Sequence, residues 1–184
     1  MIAMRSDAFA TVRGVCLGSL AHLLTGARLG SAPFIFAWIV EGSIELAAAA
    51  VGAAMLTDLV DGPLIRRFGR PSKAGAWFDV WADFLVIVAA FAGFAAVGIL
   101  SFWPLLPIGA SFALFIATSG LGPTMYDPVG RYIGGILMLG ALGVLLAQDI
   151  IIQQAIELTV VIACLMTIVV RFTYALPWGR ARSA

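Results

Sequence analysis

Apolar residues occur in six long runs along the chain, and short polar or glycine-rich segments separate them. The runs cover residues 21–40, 44–66, 75–100, 102–120, 129–147 and 151–174. A helix needs about 20 mostly apolar residues to cross the hydrocarbon core of a bilayer, and each run meets or approaches that length. The pattern predicts an all-α, polytopic membrane protein in which six transmembrane helices form a single domain over residues 1–184.

The segment before the first run has a different character. Arg5, Asp7 and Arg13 interrupt it, and its apolar stretch 15–20 is too short to span a membrane. Residues 4–20 are therefore interpreted as a short N-terminal amphipathic helix at the membrane interface rather than as a secretory signal.

The composition agrees with a membrane protein. Hydrophobic residues form 62% of the 184 residues and charged residues only 11%, whereas a soluble domain carries about 25% charged residues. So few charges cannot cover a water-facing surface, which excludes a soluble globular domain and a disordered chain. The net charge of +1 gives no indication of nucleic acid as a partner.

The lysines and arginines all fall on one face of the predicted arrangement. The opposite face receives Glu41, Glu45 and Asp149 and no basic residue. Because basic loops stay on the cytoplasmic side, we expect a multi-pass protein of the cell (inner) membrane with both termini in the cytoplasm. The basic residues are Arg5, Arg13, Arg28, Arg66, Arg67, Arg70, Lys73, Arg131, Arg171, Arg180 and Arg182.

Four aspartates occupy positions where a spanning helix normally has none. Asp58 and Asp61 lie near the cytoplasmic end of the second run, and Asp79 and Asp83 lie in the first turns of the third. Residues three or four apart share a helix face. The short connection makes these helices antiparallel neighbours, so the two pairs can converge on the cytoplasmic side.

Clustered carboxylates repel one another unless a cation lies between them. Hard divalent ions take oxygen ligands and commonly recruit substrate phosphates, so the cluster indicates metal-assisted phosphoryl transfer. Two alternatives stay open. Each aspartate taken singly is as readily an interfacial residue paired with Arg66 or Arg67, and a non-enzymatic, ion-coupled transporter also clusters carboxylates.

The spacing of these residues follows D-x2-D-G-x2-I-R-x8-G-x3-D-x3-D from residue 58 to residue 83. It resembles the signature of the CDP-alcohol phosphotransferases (CDP-alcohol phosphatidyltransferases), membrane enzymes of phospholipid synthesis. Seven of the eight fixed positions agree, and Ile65 stands where the family has alanine. The length and the six predicted helices are also similar to the family.

The resemblance implies a role for each aspartate. It implies that Asp58, Asp61 and Asp79 bind Mg²⁺ or Mn²⁺, and that Asp83 contacts a metal and is the catalytic general base. The implied reaction transfers the phosphatidyl group of CDP-diacylglycerol to a small polar alcohol and releases CMP. It implies an active site that faces the cytoplasm and a homodimer within the lipid bilayer.

The resemblance also implies a nucleotide site that involves Asp61, Gly62, Arg66 and Gly75. A glycine has no Cβ, so the two glycines allow the cytidine nucleotide to approach the backbone. Arg66 is expected to face the phosphates, with a helix-end anchor as its alternative role. Ile65 places a bulkier side chain beside this pocket.

The acceptor is indicated by weaker signals. Thr25 and Arg28 fit the P-N-x-x-T-x-x-R pattern of phosphatidylglycerophosphate synthases, although Ala21 and His22 replace its first two residues. Thr25 and Arg28 stand one helical turn apart, so both can face the site. A phosphorylated acceptor such as glycerol 3-phosphate, which we prefer, needs further cations. The candidates are Arg70, Lys73 and Arg131. A role of Arg131 as a membrane anchor is an equally open interpretation.

A choline acceptor, or another alcohol without phosphate, is the alternative. Phe84 follows the fourth aspartate where those synthases have lysine, and residues 61–64, Asp-Gly-Pro-Leu, are similar to bacterial phosphatidylcholine synthases. Choline favours an aromatic cage, for which Trp77, Trp81 and Phe84 are available. Packing against lipid or a partner helix is the other interpretation of these aromatic residues.

Overall fold

The computed structural model describes residues 23–68, 73–119, 130–147 and 149–175, which form six α-helices. They are α1 (Leu23–Val40), α2 (Ile44–Phe68), α3 (Lys73–Ala96), α4 (Leu105–Ser119), α5 (Gly130–Leu146) and α6 (Ile150–Ala175). Each helix lies within one of the six apolar runs or extends it by a few residues. The all-α fold is therefore confirmed, and the expected interfacial helix at 4–20 lies outside the described residues.

Three of the six helices are long and apolar enough to cross a membrane. Their apolar segments are Leu23–Val40, Trp77–Ala96 and Ile150–Thr173. α4 and α5 have shorter apolar segments, and α2 carries charged residues in its second half. The three long helices indicate an integral membrane protein, while the six-span arrangement stays a prediction.

Two glycines end helices by adopting a left-handed backbone. Gly42 has a φ of 80° and Gly98 a φ of 74°, a conformation that glycine reaches without the steric cost of a Cβ. The amide of the next residue then donates to a carbonyl in the last helical turn, over 2.7 Å at Ser43 and 2.9 Å at Ile99. The turn at Gly42 makes α1 and α2 neighbours, and the turn at Gly98 ends α3 before its apolar run ends.

The hydrophobic core lies along the inward faces of the bundle. Its largest fully buried side chains include Phe91 and Phe94 of α3, Ile35 and Ile39 of α1 and Met138 of α5. Apart from α1, the closest helix pairs are α4 with α6, α5 with α6 and α2 with α5. α5 thus has partners on both sides, which explains why it is rich in small residues.

The contact between α5 and α6 depends on glycine. A Cβ built at Gly140 would lie 2.9 Å from Cγ2 of Val160, and one built at Gly143 would lie 3.1 Å from Cδ1 of Ile156. Both distances are shorter than an ordinary carbon contact. Gly134 is different, because nothing lies within 4 Å of its Cβ position. Close helix packing within the chain therefore uses Gly140 and Gly143.

Polar contacts fix one end of the bundle. A carboxylate oxygen of Asp149 accepts a hydrogen bond from the amide of Ile151 at 2.7 Å and so caps the start of α6. The hydroxyl of Ser101 donates to the carboxylate of Glu157, which joins the connection after α3 to α6. The candidate site lies toward the opposite ends of α3 and α6.

Candidate functional site

A buried arginine connects the first three helices. Nη1 of Arg28 in α1 donates to Oδ1 of Asp83 in α3 at 2.6 Å, and it lies 3.5 Å from Oδ1 of Asp58 in α2. The Arg28 side chain is 1% exposed, against 22% for Asp83 and 49% for Asp58. The buried guanidinium therefore supplies positive charge to the half-buried Asp83 and to the more exposed Asp58.

The other end of the guanidinium contacts α2 through a hydroxyl group. Nη2 of Arg28 donates to Oγ1 of Thr57 at 3.1 Å. The Thr57 hydroxyl itself donates to the carbonyl of Ala54 at 2.8 Å, so its oxygen lone pairs face the arginine. This arrangement fixes the direction of the guanidinium between α2 and α3.

Thr25 makes a second polar contact between α1 and α3. Its Oγ1 donates to Oδ1 of Asp79 at 2.5 Å, and the Thr25 side chain is buried. Thr25 lies about one helical turn before Arg28, and Asp79 lies about one turn before Asp83, so the two contacts are parallel. The structure thus brings Thr25 and Arg28 to the aspartates of the signature.

A cavity of about 180 Å³ lies between α3, α4, α5 and α6, and we call it the central cavity. Asp83 lines it, so this carboxylate borders both the central cavity and the cluster around Arg28. The other polar side chains on its walls are Ser111, Thr167 and Arg171. The remaining walls are mostly apolar, and Gly134 contributes to them.

Arg171 is a buried cation on the wall of the central cavity. Its Nη1 donates to Oγ1 of Thr118 at 2.8 Å, and its guanidinium carbon lies 4.7 Å from the centre of the Phe115 ring. From the sequence, Arg171 is predicted only to be one of the basic residues of the cytoplasmic face. An arginine near a helix end has the same sequence pattern whether it faces the headgroups or turns inward, and Thr57 carries no charge, so neither position was marked in the sequence.

An aromatic cluster joins α3 to α4 beside the central cavity. The rings of Phe84 and Phe112 stack with their centres 3.7 Å apart and their planes 4° from parallel. Trp81 contacts both rings edge-on, and Trp77 contacts Phe115 in the same way. Of the aromatic residues considered for a choline cage, Trp81 and Phe84 therefore pack against each other, and Trp77 packs against Phe115.

Several predicted site residues fall outside the described side chains. They are Asp61, Arg66, Arg70, Lys73 and Arg131. Gly62 belongs to α2, and Gly75 is a half-buried residue in the first turn of α3, one turn before Asp79. Among the described residues, no three His, Cys, Asp or Glu side chains come together closely enough to hold a metal ion.

The fold and the site define a helical membrane protein with a carboxylate cluster beside a small, partly polar cavity. A comparison with protein families matches residues 18–174 to the CDP-alcohol phosphatidyltransferases. The match covers most of the chain, and the protein belongs to this family. The resemblance seen in the signature is thereby confirmed.

Two curated relatives give a more specific but shorter match. Both carry the name "Probable phosphatidylglycerophosphate synthase" and come from Mycobacterium tuberculosis, strains CDC 1551/Oshkosh and ATCC 25618/H37Rv. Each is 34% identical to the chain over 93 residues, which cover 47% of this chain and 44% of the relative. The match thus spans less than half of either protein. No solved structure matches the chain.

Proposed function

We propose that the protein transfers the phosphatidyl group of CDP-diacylglycerol to a small polar alcohol, preferably glycerol 3-phosphate, and releases CMP. The position of Asp83 is the observation that carries this proposal. Its carboxylate belongs to the signature cluster and also lines the central cavity. A general base in a transfer reaction has to contact the acceptor while it lies next to the group being transferred, and the position of Asp83 between the cluster and the cavity supports this role.

The proposed reaction is a displacement at phosphorus. Asp83 accepts the proton of the acceptor hydroxyl, and the acceptor oxygen forms a bond to the lipid-side phosphorus of CDP-diacylglycerol. The bond from that phosphorus to the bridging oxygen of the diphosphate breaks, and CMP leaves with the electron pair. The residues around the site act mainly by positioning and by electrostatic stabilisation, which dominate such transfers.

The donor set of the site suits a hard divalent cation. The oxygens of Asp58 and Asp83 already converge on one cationic group, the guanidinium of Arg28, and carboxylate oxygens are the ligands that Mg²⁺ prefers. A bound Mg²⁺ or Mn²⁺ supplies positive charge against the diphosphate of the substrate. The proposed ligands are Asp58, Asp61, Asp79 and Asp83, and the proposed nucleotide contacts are Asp61, Gly62, Arg66 and Gly75.

Arg171 supports a phosphorylated acceptor. It is buried and, like Asp83, it lines the central cavity. An acceptor in the central cavity can therefore place a phosphate near Arg171 and a hydroxyl near Asp83, and the fixed fork of a guanidinium suits phosphate. The names of the mycobacterial relatives point to the same acceptor class. Arg70, Lys73 and Arg131 stay further candidates for this role.

The aromatic residues give less support to a choline acceptor. An aromatic cage holds a quaternary ammonium group against the faces of its rings. One face of the Phe84 ring is covered by Phe112, and Trp81 contacts both of these rings. The cluster is therefore better suited to packing α3 against α4 than to enclosing a cation.

The proposal includes a location for the reaction. The basic residues favour an inner-membrane protein with both termini and the active site on the cytoplasmic side. The exposed apolar side chains of α6, among them Leu158, Ile162 and Leu165, suit contact with lipid or with a second subunit of a homodimer.

The test is CMP release by purified protein in detergent. CDP-diacylglycerol and Mg²⁺ or Mn²⁺ are supplied with glycerol 3-phosphate, inositol phosphate, serine or choline in turn, and lipid products are identified by mass. We expect CMP and phosphatidylglycerophosphate with glycerol 3-phosphate, and loss of CMP release when EDTA removes the metal. No CMP with any acceptor, alongside an active control enzyme, would contradict the proposal. Ion-coupled flux in liposomes without CMP release would favour a transporter.

A further inference from the structure

The guanidinium of Arg28 lies where the proposed function needs a metal ion. Its Nη1 contacts Oδ1 of Asp83 at 2.6 Å and lies 3.5 Å from Oδ1 of Asp58. Asp58 and Asp83 are also two of the proposed metal ligands. One nitrogen atom of the protein thus stands between two carboxylates that are expected to share a divalent cation.

Two cations cannot occupy this position together at low energy. A carboxylate oxygen that accepts a short hydrogen bond from a guanidinium can bind a second cation only if two positive charges come close together, and their repulsion is weakly screened in a buried site. The Arg28 side chain is 1% exposed and the Asp83 side chain 22%, so solvent screens this pair less than it screens a pair on the surface. Binding of a divalent cation to Asp58 and Asp83 therefore requires Arg28 to release them.

Arg28 can release the two carboxylates while the contact between α1 and α3 is kept. Asp79 is held separately by Thr25 at 2.5 Å, so the contact between α1 and α3 does not depend on Arg28 alone. The bond from Nη2 to Thr57 is made to an uncharged hydroxyl, so breaking it when Arg28 turns costs less than breaking an ion pair. The long side chain can turn while its helix stays in place.

We propose that Arg28 is a built-in counter-cation that exchanges with the divalent metal for the carboxylates of Asp58 and Asp83. In the metal-free protein it holds the two acids together, and it withdraws from them when the metal binds. The two carboxylates thereby keep a positive partner in both states, the single charge of Arg28 or the double charge of the metal. This inference rests on the proposed metal-dependent function, because it assigns the same two aspartates to the metal.

The exchange is tested by measuring the affinity of the purified full-length protein for Mn²⁺, with free Mn²⁺ counted by its EPR signal in detergent solution and no substrate present. Arg28→Gln removes the competing cation, and we expect it to tighten Mn²⁺ binding about 10- to 100-fold, the equilibrium equivalent of one hydrogen bond to a charged group. Arg28→Lys keeps the charge but loses the fork, so its affinity should fall between those of wild type and Arg28→Gln.

Arg171→Gln is the matched control for charge. It removes another buried arginine, which lines the same cavity as Asp83 but contacts Thr118 and Phe115, and its Mn²⁺ affinity should stay close to that of the wild type. If the Mn²⁺ affinity rises equally in Arg171→Gln and Arg28→Gln, then the loss of any buried positive charge has the same effect, and the exchange is overturned. Unchanged or weaker Mn²⁺ binding in both Arg28 variants would overturn it as well.

A thermal-unfolding series covers the case in which Arg28→Gln is unstable. The variant should gain more thermal stability from Mn²⁺ than the wild type does, because its two acids lack a counter-charge until the metal binds. A gain no larger than that of the wild type contradicts the exchange. If the wild type and every Arg28 variant bind no Mn²⁺, the metal site of the proposed function fails too. If the wild type binds Mn²⁺ and the Arg28 substitutions leave the affinity unchanged, this inference is overturned while the proposed metal site is not.

Discussion

The hydroxyl of Thr25 donates a hydrogen bond of 2.5 Å to the carboxylate of Asp79, and this bond joins α1 to the signature aspartates of α3. The donor is buried, so water does not compete for the bond. The bond uses one oxygen of Asp79 and leaves the other to a different partner. Thr25 is therefore a positioning residue for one of the proposed metal ligands.

Replacing Thr25 by valine should slow CMP release while the fold is kept. Valine has nearly the same shape but cannot donate, so Asp79 loses the group that orients it. We expect a decrease in CMP release of about tenfold, the scale of one hydrogen bond to a charged group. Thr25→Ser keeps the hydroxyl and should recover most of the rate. If Thr25→Val releases CMP at the wild-type rate, Thr25 does not contribute to the site.

Asp83→Asn and Asp58→Asn should have different effects on binding and turnover. Asparagine at 83 cannot accept the acceptor proton, so turnover should fall by more than about 100-fold, while affinity for CDP-diacylglycerol is largely kept. Asp58→Asn removes a proposed metal ligand and should weaken CDP-diacylglycerol binding as well. Binding by calorimetry and CMP release distinguish them. An equal loss of affinity in both variants would contradict the assigned division of roles.

Arg171→Gln should raise the KM for a phosphorylated acceptor. The neutral side chain cannot pair with the acceptor phosphate in the central cavity, and we expect a rise of about 10- to 100-fold, the equivalent of one charge-assisted hydrogen bond. The KM for CDP-diacylglycerol should change little, and Arg171→Lys should recover part of the acceptor affinity. A uniform loss of kcat with both KM values unchanged would indicate that Arg171 only supports the packing of α4 and α6.

Gly140→Ala should destabilise the contact between α5 and α6. The added methyl group would lie 2.9 Å from Cγ2 of Val160, and such overpacking typically lowers the free energy of unfolding by about 1–3 kcal/mol. Gly135→Ala is the matched control in the same helix, because nothing lies within 4 Å of its Cβ position. Thermal unfolding in detergent should show a lower midpoint for Gly140→Ala only; equal midpoints would contradict the tight packing.

The helices were predictable from the sequence because each depends on local composition. Six apolar runs separated by glycine and polar residues correspond to α1–α6. The end of α3 is less visible, since the run continues to residue 100 while the helix ends at Ala96. The left-handed backbone at Gly98 accounts for the difference, and a single glycine in an apolar run does not by itself indicate that conformation.

The site was predictable only as far as its residues are close in sequence. The spacing of Asp58, Asp79 and Asp83 identified the signature, and the one-turn spacing of Thr25 and Arg28 indicated a shared face. Their partners depend on how the helices pack: the contact of Arg28 with Asp83 joins residues 55 positions apart, and the predicted role of Arg28 in acceptor binding stays a prediction. Arg171 was not assigned, because an arginine near a helix end has the same pattern whether it faces the headgroups or turns inward.

The walls of the central cavity bear on which nucleophile attacks. Phe84, Phe112 and Leu137 give hydrocarbon surface beside Asp83, and such surface offers few hydrogen-bonding partners to water. In the proposed transferase, water is the rival of the acceptor, and its attack would yield phosphatidic acid instead of a new phospholipid. Excluding water prevents side reactions of this kind. In the proposed transferase, we therefore expect the stacked rings of Phe84 and Phe112 to favour synthesis over hydrolysis of the activated lipid.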